Sequence, residues 1–203
     1  MNEKFFNLDD EKKERIINAA MEEFTSSGYD KASTNNIVKN ACISKGLLFH
    51  YFGSKKKLYI FLYSYGLDII NNKFKDNINF DERDILKLFK ELIYVKMELL
   101  RTYPNLFDFF ISCYLEKSEE IIQLIQDNNK NVIYNKIYNN IDYTLFKDGL
   151  DIQKTINIMK WTLEQYSNEY INKIKALGKE LNPDEITKDI NGYIEIFKTC
   201  FYK

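Results

Sequence analysis

The segment Thr34-Asn-Asn-Ile-Val-Lys-Asn-Ala-Cys-Ile-Ser-Lys-Gly-Leu-Leu-Phe-His-Tyr-Phe-Gly-Ser-Lys55 constrains this chain more than any other. Its apolar spacing predicts two short helices joined by a tight turn. Ile37, Val38 and Ala41 share one face of the first, and Leu48 and Phe52, four residues apart, share one face of the second. Ser33 or Thr34 can cap the first helix by accepting a backbone N–H, and Ser44 can cap the second. Cys42-Ile43 makes the turn, and Gly53-Ser54 ends the pair. Upstream, Ile16, Ile17, Ala20 and Phe24 recur at helical spacing from Asp9 or Asp10 to Ser26, and Gly28 supplies a left-handed stop. Three helices on one small core form an independent module.

The charge of that module sets its partner. Residues 31 to 60 contain six lysines and no Asp or Glu, in a chain with 30 acidic residues among 203. The net charge of -1 conceals this local positive field. A compact helix-turn-helix inside such a field is the electrostatic footprint of a DNA reader. Gly46 costs about 1 kcal/mol of helix propensity relative to alanine. Two roles account for it, a close approach of the backbone to DNA or close helix packing. Lys55, Lys56 and Lys57 offer at least one phosphate contact.

The rest of the chain reads as helix, so the fold class is all-α. Only 7 Gly and 2 Pro are present, and no Asn-Gly or Asp-Gly sits between alternating apolar runs, which leaves little material for a sheet. A long helix begins near Lys55 and carries Leu58, Phe61, Leu62, Tyr65 and Ile69. Ile85 to Leu99 mark an amphipathic helix, and Pro104 opens one that is apolar nearly all round, which predicts deep burial. Further helices are expected over Glu119–Ile141, over Asp151–Leu177 with Gly178 as its stop, and from Pro183 to the end. The expected domains are residues 1–54, the helix-turn-helix DNA-binding domain, and 55–203, a domain for effector binding and dimerisation.

Several classes are disfavoured. No segment approaches the roughly 18 apolar residues of a membrane span, and the polar, acid-rich first 14 residues do not read as a secretory signal. Cys42, Cys113 and Cys200 are far apart and, with the single His50, build no zinc site. Reduced thiols in the cytoplasm are expected. His50 lacks a nucleophile with an orienting acid nearby, so an enzyme is not expected, and no cofactor or metal is expected either.

The blocks Ile17-Asn-Ala-Ala-Met-Glu-Glu-Phe-Thr-Ser-Ser-Gly-Tyr29, Thr34 to Ala41, Ser44-Lys-Gly-Leu-Leu-Phe-His-Tyr-Phe52 and Lys55 resemble, in register, the amino-terminal domain of the TetR family of transcriptional regulators. The match covers about residues 12 to 60; the remainder agrees only in length and helix count. The resemblance implies an all-helical homodimer whose helix at Lys45–Phe52 enters the major groove of a double-stranded operator. It also implies a small-molecule effector that releases DNA. By position, Thr34 and Tyr51 are expected at phosphates, Lys45, Gly46, Leu47 and Phe49 at base edges, and His50 and Lys55 at the backbone, with Ser44, the helix cap, also among the DNA-binding residues. Two departures stand out. Cys42 replaces a usual glycine at the turn, and Leu47 can read a base only through an apolar contact such as a thymine methyl.

In the second part, Tyr94, Met97, Phe107, Phe110, Tyr114, Trp161, Glu164, Gln165 and Tyr166 are candidates to line an effector pocket; for any single one of them ordinary helix packing is the stronger account. Glu164 suits a cationic ligand. The stripes through Met159, Leu163 and Tyr166 and through Ile190, Tyr193, Phe197 and Phe201 exceed what one helix pair requires, and a four-helix dimer interface would use the surplus. Two rival readings remain at this level, a helical small-molecule-binding or enzymatic bundle, and a DNA-binding regulator controlled by a protein partner.

Overall fold

A computed structural model describes residues 3–128 and 140–203. Its helices are α1 (Glu3–Phe6), α2 (Asp10–Lys31), α3 (Thr34–Asn40), α4 (Lys45–Phe52), α5 (Lys55–Asn77), α6 (Ile85–Thr102), α7 (Leu106–Tyr114), α8 (Glu119–Asn128), α9 (Ile152–Ala176) and α10 (Pro183–Phe201). Among the described residues the rest is turn and loop, with one isolated bridge between Phe146 and Tyr202. The all-α expectation holds. Of the helix expected over Glu119–Ile141, residues 129–139 lie outside the described residues.

The chain divides into two compact units, residues 1–71 with 102–132 and residues 72–101 with 133–203. These units differ from the expected division after Ser54. Helix α5 runs from the first into the second without a break, and α7 and α8 belong with the helix-turn-helix.

The first unit is built around aromatic rings. Phe24 of α2, Tyr59 of α5 and Phe109 of α7 meet edge to face, with centroids 4.9 Å (Phe24–Tyr59) and 5.4 Å (Tyr59–Phe109) apart. Such pairs contribute about 0.5–1.5 kcal/mol beyond the area they bury. Gly66 lets α5 approach α7 closely. A Cβ there would lie 3.0 Å from the Phe110 ring and 3.1 Å from Leu106, tighter than ordinary packing tolerates. Helix α7 is not buried all round, however. Leu106, Phe109 and Cys113 face the core, whereas Ile111 and Tyr114 are exposed, Tyr114 to 89%.

In the second unit, α9 and α10 start on side-chain caps from Asp151 and Asn182, and Pro183 takes the first-turn position where its missing N–H costs nothing. The carboxy terminus is tied down. Lys147 N–H donates to Phe201 O at 2.9 Å, Lys203 N–H to Leu145 O at 3.0 Å, and the Tyr202 hydroxyl to Asp84 at 2.7 Å.

The stripes expected at a dimer interface lie elsewhere. Met159, Leu163, Ile190 and Phe197 are buried within a single copy, and the Tyr193 ring lies tilted against Tyr166 at 5.0 Å. Phe201 lies against Phe197 at 6.2 Å. Four of these side chains are spent on the protomer's own core, whereas Tyr193 and Phe201 stay half-buried. The reason is geometric, because α9 and α10 lie against each other and consume these stripes as their mutual contact.

Cys42 adopts φ 52° at the turn between α3 and α4, and it is the one non-glycine residue with positive φ among those described. That conformation costs an L-residue roughly 1–2 kcal/mol, of which glycine's freer unfolded chain would take back part. The exposed thiol contributes only a weak contact, 4.0 Å from Asn40 O. Replacing Cys42 with Gly is therefore expected to raise the unfolding free energy by about 0.5–1 kcal/mol in a urea titration. A loss of stability would show that the turn draws on the cysteine side chain.

Candidate nucleic-acid interface

Helix α3 is too short to hold itself in place, since isolated helices shorter than about 12 residues are marginal in water. Helix α2 grips it at both ends. Glu23, 7% exposed, turns inward from α2, and its Oε1 accepts the Ser33 N–H at 2.7 Å while Oε2 accepts the Asn36 side-chain amide at 3.1 Å. Ser27 Oγ donates to the same carboxylate at 3.3 Å. At the other end, Arg15 Nε donates to the Ala41 carbonyl at 3.0 Å. A negative group thus sits at the positive end of α3 and a positive group at its negative end, the arrangement the helix dipole favours. Ser33 does not cap α3 with its hydroxyl; the Glu23 carboxylate takes that place.

Lys55 closes the same junction from α5. Its ammonium donates to the carbonyls of Tyr29, Asp30 and Ala32 at 2.8, 3.0 and 3.3 Å and lies 4.9 Å over the Tyr29 ring. Gly28, at φ 70°, turns the chain out of the α2 helix just before these three carbonyls. An ammonium has three protons, and all three are used here. This corrects the expectation of a Lys55–phosphate contact, because the cation secures the end of α2.

Helix α4 projects outward from this frame. Ser44 caps it by accepting the Leu47 N–H at 3.1 Å. Leu48 and Phe52 face inward as expected, while Ser44, Lys45, Gly46, Phe49 and His50 are exposed and Leu47 is half-buried. A Cβ at Gly46 would meet nothing nearer than Ser44 Oγ at 4.0 Å. Internal packing therefore does not require a glycine there, which leaves close external approach as its use. Thr34 opens α3, half-buried.

Tyr51 departs from expectation. Its ring is 8% exposed and meets Phe5 edge to face at 6.0 Å. Leu48 and Phe52 do not complete the inner face of α4; Phe5 adds a wall from α1 and draws Tyr51 in. The signal was the pair Phe5-Phe6 in an otherwise polar amino terminus. Glu23 and Arg15 also went unnoticed, although Glu23, seven residues after Ile16 and three after Ala20, falls on the buried stripe.

The effector candidates divide between the two units. Phe107, Phe110 and Tyr114 lie in the first unit, and Tyr94, Met97, Trp161, Glu164, Gln165 and Tyr166 in the second. Met97 is fully buried, whereas Trp161, Glu164 and Gln165 are exposed on α9. Gln165 donates to Glu169 at 3.0 Å, and Lys160 pairs with Glu164 at 3.9 Å along the helix. Neither is an orienting group in a closed pocket, because both point away from the α9–α10 contact. The Tyr166 hydroxyl donates to Asp189 at 2.5 Å, and its pKa is raised by burial and by that carboxylate. Cys113 is buried, and loss of hydration pushes its thiol up to about 12, so it packs as a small apolar group. No helix among the described residues is long and apolar enough to cross a membrane.

The different roles of two lysines can be measured. Lys45→Ala is expected to lower the slope of log affinity against log salt by about 0.9 for any duplex. Lys55→Ala is expected to leave that slope unchanged while lowering the melting temperature. A flattened slope for Lys55→Ala would return it to the phosphates.

The comparisons agree with this geometry. Residues 16–60 match the model of bacterial regulatory proteins of the tetR family. The HTH-type transcriptional regulator QacR of Staphylococcus aureus strain Mu50 is 29% identical over 192 residues, covering 91% of this chain and 95% of its own. The biofilm operon icaADBC HTH-type negative transcriptional regulator IcaR of Staphylococcus aureus strain Newman is 23% identical over 185 residues, covering 90% and 99%. FadR from Bacillus subtilis, solved in complex with stearoyl-CoA, shares the fold at 20% identity with a TM-score of 0.50 over 91% of this chain and 97% of its own. The matched residues 16–60 hold most of α2, all of α3 and α4 and the start of α5, and over this helix-turn-helix segment the chain resembles bacterial regulatory proteins of the tetR family.

Proposed function

We propose that this regulator is a repressor that binds a two-fold operator as a homodimer and leaves it when a small molecule binds. The observation that carries the DNA reading is α4, which exposes Lys45, Gly46, Phe49 and His50 in a segment without acidic residues. Lys45 supplies a cation, Phe49 an apolar contact, and Gly46 lets the backbone approach. The relative IcaR, described as a negative regulator, supports repression, and the stearoyl-CoA bound to FadR supports a small-molecule effector. A DNA partner places the protein in the cytoplasm.

One α4 offers too little surface for specific affinity of about 10⁻⁸ M or better. Two copies about 34–36 Å apart reach successive half-sites and add their contacts. The face suited to join them is the outer side of α9 and α10, where Ile158, Trp161 (62% exposed) and Ile196 stand open beside the side-chain-free Gly192. Helix α5 is the mechanical link to α4. The tight joint of Gly66 against Phe110 and Leu106 gives α5 a fixed bearing on α7, so a ligand that shifts α7 shifts α5 as well. By linkage, bound DNA weakens that ligand by the same factor.

Light scattering and duplex titration test this together. The unaltered chain is expected to be dimeric and to bind duplex with steep salt dependence. Ile196→Glu is expected to give a folded monomer with at least 100-fold weaker operator affinity, whereas Phe197→Glu, inside the protomer, should reduce the fold itself. A dimeric Ile196→Glu would move the interface to another face, and absence of duplex binding at low salt would overturn the DNA reading.

A further inference from the structure

Beside the outward face of α4 lies a cavity of about 400 Å³, a volume suited to a small organic ligand. Its inner wall is aromatic. Phe5 from α1, Tyr51 and Phe52 from α4 and Phe61 from α5 surround it, with Phe5 5.1 Å from Phe52 and 5.2 Å from Phe61 in tilted and edge-to-face contacts. These rings hold one another in place, so the wall is pre-formed. Phe49 and His50 form the rim toward α4's exposed side.

The remaining side is cationic. Gly53, at φ 75°, ends α4 without a side chain, and Lys57 reaches across the space this leaves. A Cβ at Gly53 would lie 3.5 Å from the Lys57 Cδ and 4.0 Å from its Nζ, which places the lysine chain directly beside the glycine at the mouth. No Asp or Glu is among the lining residues. Lys57 also belongs to the first turn of α5, capped by Ser54, which accepts the Lys57 N–H at 3.1 Å. The field at the mouth is therefore positive on two counts, the side chain and the helix start.

We propose that this cavity is a second small-molecule site, one that takes a planar aromatic anion. The ring lies against the exposed Phe49 and the edges that Phe52 and Phe61 show to the cavity, and the anionic group pairs with Lys57. Because Phe49 and His50 form both its rim and part of the DNA-facing surface, the occupant competes with DNA directly, without any movement relayed from the second unit. The competition rests on the DNA reading above; the site itself does not.

The probe is 8-anilino-1-naphthalenesulfonate, titrated into the full chain by fluorescence. One saturable class of site is expected to weaken at least tenfold in Lys57→Glu and to remain in the control Lys179→Glu. Saturating duplex is expected to abolish that class, and the probe to raise the apparent Kd for duplex in proportion to its concentration. Superimposable isotherms for the unaltered chain and Lys57→Glu would overturn the site. Lys57-dependent probe binding that persists on the DNA complex would overturn the competition. A chain that binds no duplex even without probe would fail the DNA reading instead, and the Lys57 comparison would still decide the site.

Discussion

The grip of α2 on α3 is the contact on which the other functional features depend. Helix α3 has seven residues and, on its own, would not persist. The Glu23 carboxylate accepts the backbone N–H of Ser33 at its start and the Asn36 side-chain amide, and the Arg15 guanidinium donates to the Ala41 carbonyl at its end. Bonds of this kind, with one partner ionised, are roughly twice as strong as neutral ones. They also fix direction, because exchanging the charges would set each against the helix dipole. Lys55 applies the same logic to the end of α2, satisfying three carbonyls that the Gly28 turn would otherwise leave open. Orphaned carbonyls and amides at helix ends are costly when water is excluded, so the junction is both a lock and a solution to hydrogen-bond accounting.

With that frame fixed, the turn at Cys42 aims α4. The backbone there is left-handed, and the following Ser44 starts the new helix with a side-chain cap. The inner face of α4 is then completed by α1, which would have no evident purpose without Tyr51 and Phe52 to cover. On its outer face Lys45, Gly46 and Phe49 are exposed, and this is what makes it available to a polyanion. In the proposed complex Lys45 would meet charge, while Phe49 and Leu47 would meet shape and methyl groups.

The helix-turn-helix was legible because short-range rules decided it. Ser44, Gly53, Gly28 and the spacing of Leu48 and Phe52 act within a few residues, and the structure places each where those rules require. Long-range partners were not legible in the same way. Lys55 reads as a phosphate cation in a row of lysines, and only the fold brings it to carbonyls 23–26 positions earlier. Tyr51 reads as exposed until a distant Phe5 covers it. Met159, Leu163, Ile190 and Phe197 read as surplus because periodicity reports burial without saying which copy does the burying. The helix pair α9–α10 answers that within one chain, and its exposed Trp161 and Ile196 are the true remainder. Glu164 and Gln165 illustrate the converse, polar residues that stand exposed on α9 near Trp161.

The central claim is that α4, held by α2 through α3, is the surface that meets DNA. Amide hydrogen exchange of the full chain, with and without a duplex it binds and at matched salt, tests this most directly. The account predicts new protection across Ser44–His50 and at the first turn of α3, with the junction around Gly28 to Ala32 equally protected in both states. Protection confined to α9 and α10, with Ser44–His50 exchanging as fast as in the free chain, would contradict it.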